Sequence, residues 1–132
     1  MAHGNVAFES PSMAFWNDSR DYLVDALVRL KTAGCDVRIL SSTSITSDGV
    51  KAKLRGAFST DEARFPPHLH SKYLFVDGGY LGTQRKLVWT GSHNWVYGSI
   101  RTNEETILRI DDPTVFAGFD ANWNHIWSTS TP

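Results

Sequence analysis

The run Lys72-Tyr73-Leu74-Phe75-Val76 constrains this chain most. Its aromatic and β-branched side chains favour a pleated, largely buried strand. Side chains alternate faces along a strand, so His70 and Lys72 project together at its mouth. That sets an imidazole beside an ammonium. Such a pair suits an anionic substrate, because one group attacks or shuttles a proton while the other holds negative charge. Asp77 follows the run and precedes Gly78-Gly79, where an aspartate commonly opens a turn.

A buried strand needs covering layers, and the rest of the 132 residues supplies them. Residues 5–16 hold short strand-like pieces interrupted by Pro11, and Asn17-Asp18-Ser19 offers helix N-caps. Tyr22, Leu23, Ala26, Leu27 and Leu30 recur at helical spacing, and Gly34 stops the helix. Residues 37–40 read as the next strand, which gives a strand-helix-strand unit and a parallel pair. Residues 41–47 read as loop, 49–55 as a short helix and 59–67 as loop, closed by the stiff Pro66-Pro67 pair. Residues 78–84 read as a hairpin or extended loop, with strands at 86–90 and 106–110. Asp112-Pro113 caps a final helix whose Val115, Phe116, Phe119, Trp123, Ile126 and Trp127 form a wide apolar face. The expected architecture is α/β: a mixed, mainly parallel sheet with helices on both faces, in one domain spanning residues 1–132.

Composition narrows the class of function. A hydrophobic share of 41% with 7 Phe, 5 Trp and 4 Tyr marks a folded chain. A net charge of −1 is not that of a protein built to coat nucleic acid. The charge is uneven, with nine Lys/Arg against six Asp/Glu over residues 48–109 and three Asp over 110–132. The single cysteine, Cys35, cannot form an internal disulfide and reads as a buried residue at a strand start; in a longer secreted chain it has a partner elsewhere. No apolar run reaches transmembrane length and no signal peptide is visible, so the compartment stays open.

A second stretch gives the first one meaning. Gly91-Ser92-His93-Asn94 and then Asn103-Glu104-Glu105 follow His70-x-Lys72-x-x-x-x-Asp77. Together the three patterns resemble the phospholipase D superfamily over roughly residues 12–128. The resemblance implies a phosphodiesterase acting through a phosphohistidine, with His70 as nucleophile. Neutral imidazole attacks phosphorus and leaves again, splitting one hard displacement into two easier ones. Lys72 then stabilises the non-bridging phosphate oxygens as a point charge, Asn94 adds an amide donor and Ser92 a hydroxyl. Glu105 is the expected partner of the free nitrogen of His70, with Glu104 the alternative. Asp77 belongs to the motif and reads as holding a turn. His68 shares the parity of His70 and lines the pocket, His93 touches substrate, and His125 and His3 read as structural or surface residues. His68-x-His70 is the one near pair for a metal and has no third ligand in view, so metal-independent chemistry without a cofactor is expected.

Such a mechanism needs a second proton carrier, which a second copy of the motif provides in this superfamily. One copy is present here. The expected partner is therefore either another half of the same full-length chain or an identical subunit, and Phe15, Trp16, Trp89, Trp95 and Tyr97 offer apolar material for that contact. Trp16-Asn17-Asp18, Ala33-Gly34-Cys35 and Val88-Trp89-Thr90-Gly91 resemble secreted bacterial members. The expected substrate is a phosphodiester: a phospholipid head group first, nucleic acid cut by a homodimer as the alternative, and a non-catalytic half-domain as the third reading.

Overall fold

Ile39 and Leu40 are consecutive and fully buried, yet they belong to different cores. Alternation along a strand makes that possible only if the sheet is covered on both faces. The computed structural model describes residues 8–13, 18–67, 69–92 and 104–131. Along the chain run β1 (Phe8–Met13), a 3-10 turn (Asp18–Arg20), α1 (Tyr22–Thr32), β2 (Asp36–Val37), β3 (Ile39–Ser41), α2 (Asp48–Ala57) and β4 (Ala63–Arg64). β5 (Lys72–Tyr80), β6 (Thr83–Gly91), β7 (Ile107–Asp111) and α3 (Pro113–Thr129) complete it. The strand order is β4-β3-β1-β5-β6-β7, with β2 also paired to β1.

One core joins Val24 and Leu27 of α1 and Val50 and Leu54 of α2 to Val37 and Ile39. The other joins Phe116 and Trp123 of α3 to Leu40, Tyr73, Phe75 and Val88. Helices on both faces are thus observed. Trp123 is fully buried, stacked on Trp127 at 4.9 Å and edge-on to Phe75 at 6.2 Å. Its indole fills the space between α3 and the strand that carries the site. Trp123→Ala is expected to cost about 3–5 kcal/mol of stability, as large aromatic truncations in cores do, read as an earlier urea midpoint.

The expected mainly parallel sheet needs correction. β1 pairs parallel with β2 and β3, and β3 with β4. The longer ladders, β1–β5, β5–β6 and β6–β7, are antiparallel. The reason lies at Gly78-Gly79, read in sequence as a strand end. Both residues stay in the ladder, opposite Arg85 and Gln84. The chain reverses at Leu81-Gly82 instead, where φ is 49° and 81°. Two successive positive φ values mark the tight two-residue hairpin turn, which only antiparallel strands accept.

Other boundaries shift for local reasons. β1 runs through Pro11, which stands opposite Leu74 on one flank. On the other flank the ladder passes from β2 to β3 between Glu9 and Ser12, so no parallel partner needs the missing N–H. Residues 63–64 are strand rather than loop. Asp18 does not cap α1; it accepts a hydrogen bond at 2.6 Å from Ser47, whose hydroxyl in turn caps α2 through Val50 N–H. α1 ends as expected, with Cys35 N–H donating to Leu30 and Gly34 N–H to Lys31, and Cys35 is buried just before β2. Asp112 caps α3 by accepting from the N–H groups of Thr114 and Val115 at 2.8 and 3.1 Å. Val115 itself faces solvent, outside the apolar face assigned to it. No described helix is long and apolar enough to cross a membrane.

Candidate active site

Met13 at the carboxyl end of β1 lies opposite Lys72 in β5 and Ser41 in β3. The mouth of β5 therefore opens at the carboxyl ends of the parallel strands, where open α/β sheets bind ligands. His70 is exposed in the extended segment entering β5, and Lys72 is the first residue of that strand. The Lys72 ammonium donates to the His70 carbonyl at 2.9 Å. It also stands 3.4 Å from both Nδ1 and Nε2 of the His70 ring. Both contacts are at the long end of hydrogen bonding, and their equality sets the ammonium against the ring rather than on one lone pair. A ring nitrogen thus stays open for chemistry, while the carbonyl anchors the cation beside it.

Burial pushes the Lys72 ammonium below its ordinary 10.5, and the Glu105 carboxylate opposes that shift. Glu105 therefore stands within electrostatic reach of Lys72. Among the described residues no hydrogen bond joins Glu105 to His70.

A staple between two strand ends delivers Glu105. Ser92 N–H donates to the Thr106 carbonyl at 3.0 Å, and Thr106 N–H donates to the Ser92 hydroxyl at 3.0 Å. The Ser92 oxygen is thus engaged as an acceptor, and its own proton remains to donate. Thr90 adds a bond from its hydroxyl to the Lys72 carbonyl at 3.2 Å. Gly91 lets the segments approach: a Cβ there would lie 1.8 Å from the Thr106 carbonyl oxygen. Gly91→Ala is expected to push the 104–106 segment from Lys72 and to cost about 1–3 kcal/mol as an overpacking change. An unshifted thermal midpoint would contradict this.

Asp77 is not brought to this group. It lies five residues along β5, roughly 16 Å from Lys72 at strand spacing, opposite Lys86 and 3.4 Å from the Gln84 amide. Its parity matches Tyr73 and Phe75, which face α3, and not Lys72. His68, His93, Asn94 and Asn103 lie outside the described residues, as do His3, Phe15, Trp16, Trp95 and Tyr97. Trp89 packs edge-on to Tyr80 at 5.7 Å. Among the described residues no three His, Cys, Asp or Glu side chains gather as metal ligands. Sequence reasoning placed Gly91 in the motif but missed its contact with Thr106 and the roles of Thr90 and Thr106, because those contacts join strands that only the antiparallel register brings together.

A mixed sheet covered by helices on both faces, with His70 and Lys72 against each other at the strand mouth, defines the class of this domain as α/β. The family described as "Cardiolipin synthase, PLD-like domain" matches residues 1–127, and the chain belongs to this phospholipase D-like family. Mitochondrial cardiolipin hydrolase of Xenopus tropicalis is 26% identical over 113 residues, covering 83% of this chain and 50% of that protein. Its Xenopus laevis counterpart is 29% identical over 65 residues, covering 49% and 28%. The chain thus spans half or less of the length of these curated relatives. NucT from Helicobacter pylori superposes with a TM-score of 0.72 at 14% identity, over 94% of this chain and 80% of that one. Nuc from Salmonella typhimurium, a phospholipase D family member, gives 0.70 at 22% identity, over 92% and 79%. At these identities the likeness establishes the fold.

Proposed function

We propose that this chain is a phosphodiesterase that works through a covalent phosphohistidine on His70 and acts on phospholipid head groups. The observation that carries the reading is the Lys72 ammonium held against the ring of an exposed His70. A ring nitrogen attacks phosphorus, a P–N bond forms, and the P–O bond to the leaving group breaks. Lys72 stabilises the non-bridging oxygens as charge builds on them, and Glu105 keeps Lys72 charged. Water or an alcohol then attacks phosphorus and releases the imidazole. Protonating the leaving oxygen takes a second acid, which comes from an identical subunit or from another half of a longer chain. Asn94 and Ser92 donate to the same oxygens, and His68 and His93 contact the substrate. Asp77 supports β5 from outside the reacting group.

The lipid assignment rests on the rim of the site. Ile107 follows Glu105-Thr106 directly, pairs with Gly91 and is 53% exposed, while Leu108 projects from the opposite face of β7. Apolar side chains at a site mouth suit a lipid surface better than a polyanion. The relatives are named as cardiolipin hydrolases, which supports the same reading. A nuclease acting as a homodimer is the alternative, favoured by the single motif.

Molecular mass in solution at several concentrations, with bis(p-nitrophenyl) phosphate hydrolysis on the same samples, tests the assembly. The expected result is a dimer whose specific activity falls on dilution and is unchanged by EDTA. Loss of activity on chelation would contradict metal-independent chemistry. An inactive monomer restored by a second motif-bearing half would place that motif in the same full-length chain.

A further inference from the structure

A groove of about 560 Å³ runs beside the edge strand β4, between the last turn of α2, residues 58–60 and Thr131. Phe65 lines this groove, while Pro66 lines the separate cleft that Asn122, His125 and Thr129 of α3 form with His70. We propose that the groove at β4 is a second anion site, which binds an aliphatic phosphomonoester through the Arg55 guanidinium. It needs no chemistry at His70 and Lys72.

The three cations of α2 are not alike. Lys51 stands 3.5 Å from Asp48, and Lys53 stands 3.3 Å from Asp21. Arg55 has no ion pair and no hydrogen bond among the described residues. Its guanidinium lies over the Phe65 ring, 4.7 Å from the centroid. Stacking fixes the plane of the group and leaves the N–H bonds at its edge free to donate. A fork held in this way matches the oxygens of a phosphate or a carboxylate.

The rest of the lining favours phosphate. Ser59, Thr60 and Thr131 line the groove, and their hydroxyls make no hydrogen bond among the described residues. A phosphomonoester presents three terminal oxygens and close to two negative charges, the fuller match to a fork and three hydroxyls. No Asp or Glu is among the described residues of the lining. Asp61 stands 3.9 Å from Arg64, and Glu62 accepts from Ser59 N–H at 2.8 Å and from Lys31 at 2.9 Å. Lys31 also donates to the Ala57 carbonyl at 3.1 Å, which answers the partial negative charge at the end of α2. The Thr43 hydroxyl and N–H donate to the Phe65 and Pro66 carbonyls, so both oxygens already hold a donor.

The apolar side of the groove sets the body of the ligand. Phe58, Ala63 and Phe65 line it, and its volume is that of a small-molecule site, well beyond a bare ion. A nucleobase would need an open aromatic face on which to stack. Phe58 is buried beneath the Lys31 ammonium at 5.1 Å, and Phe65 lies between Arg55 and the core. Neither ring offers that face, and a short aliphatic body needs none.

The test follows the backbone amide resonances of Ser59, Thr60 and Phe65 while glycerol phosphate is titrated in at constant ionic strength. They are expected to move saturably in the wild type and equally in His70→Ala. Arg55→Gln is expected to weaken binding by about ten- to a hundredfold, the loss of a charged hydrogen-bonding partner. Thr60→Val, which leaves Arg55 on Phe65, is expected to weaken it by about three- to tenfold. Shifts that sodium chloride reproduces, that Arg55→Gln retains, or that vanish in His70→Ala would overturn the site. Tighter binding of adenosine monophosphate than of glycerol phosphate would overturn the aliphatic assignment.

Discussion

His70→Ala is expected to abolish turnover, by on the order of 10⁵-fold or more, as removal of a nucleophile does in other covalent enzymes. His70 is exposed, and the Lys72 ammonium is anchored on its carbonyl, which alanine retains. The variant should therefore unfold at the parent's urea midpoint while being inert toward bis(p-nitrophenyl) phosphate. Activity equal to the parent's would sink the assignment of His70. A parent that binds phospholipid and never turns it over, even with a second motif-bearing half supplied, would support the non-catalytic half-domain.

Lys72→Met is the second large effect, about 10²–10³-fold in kcat/KM, the loss typical of one preorganised oxyanion donor. Stability should move the other way. Burial holds the Lys72 ammonium below 10.5, so between the lowered value and 10.5 the unfolded chain binds more protons than the folded one. Stability therefore rises with pH across that window, and the cost of the buried charge is fully present below it. Methionine removes the cost, and Lys72→Met should unfold no earlier than the parent at pH 7. In the parent, the alkaline limb of kcat/KM should fall below 10.5. Glu105→Gln removes the carboxylate that opposes the shift and should move that limb lower still. A limb that stays in place would show that Glu105 does not act on Lys72.

Much of this was legible because the signals are local. His70 and Lys72 share a face by strand alternation alone, and α3 begins where Asp112-Pro113 says it should. Sheet direction was not local. Gly78-Gly79 has the look of a turn, but glycine carries the N–H and C=O that a ladder needs, and β5 runs through both residues. Pro11 looks like a break, yet it sits where the neighbouring parallel ladder changes strands. Glu105 is expected to face His70; the staple at Gly91, Ser92 and Thr106 holds the segment that carries it, and its carboxylate opposes the downward shift of Lys72. The polar stripe Asn122, His125 and Thr129 was present in the sequence at helical spacing beside the apolar face of α3. Only the docking of α3 through Tyr73 and Trp123 shows that it lies across a cleft from His70.

The most direct measurement of the central claim is the stereochemical course at phosphorus. Each in-line displacement inverts the phosphorus centre, so attack by His70 followed by attack of water or alcohol restores it. With a chiral phosphorothioate diester as substrate, the covalent route predicts net retention, whether or not the intermediate accumulates. Net inversion would mean a single direct displacement, and the phosphohistidine account would be wrong.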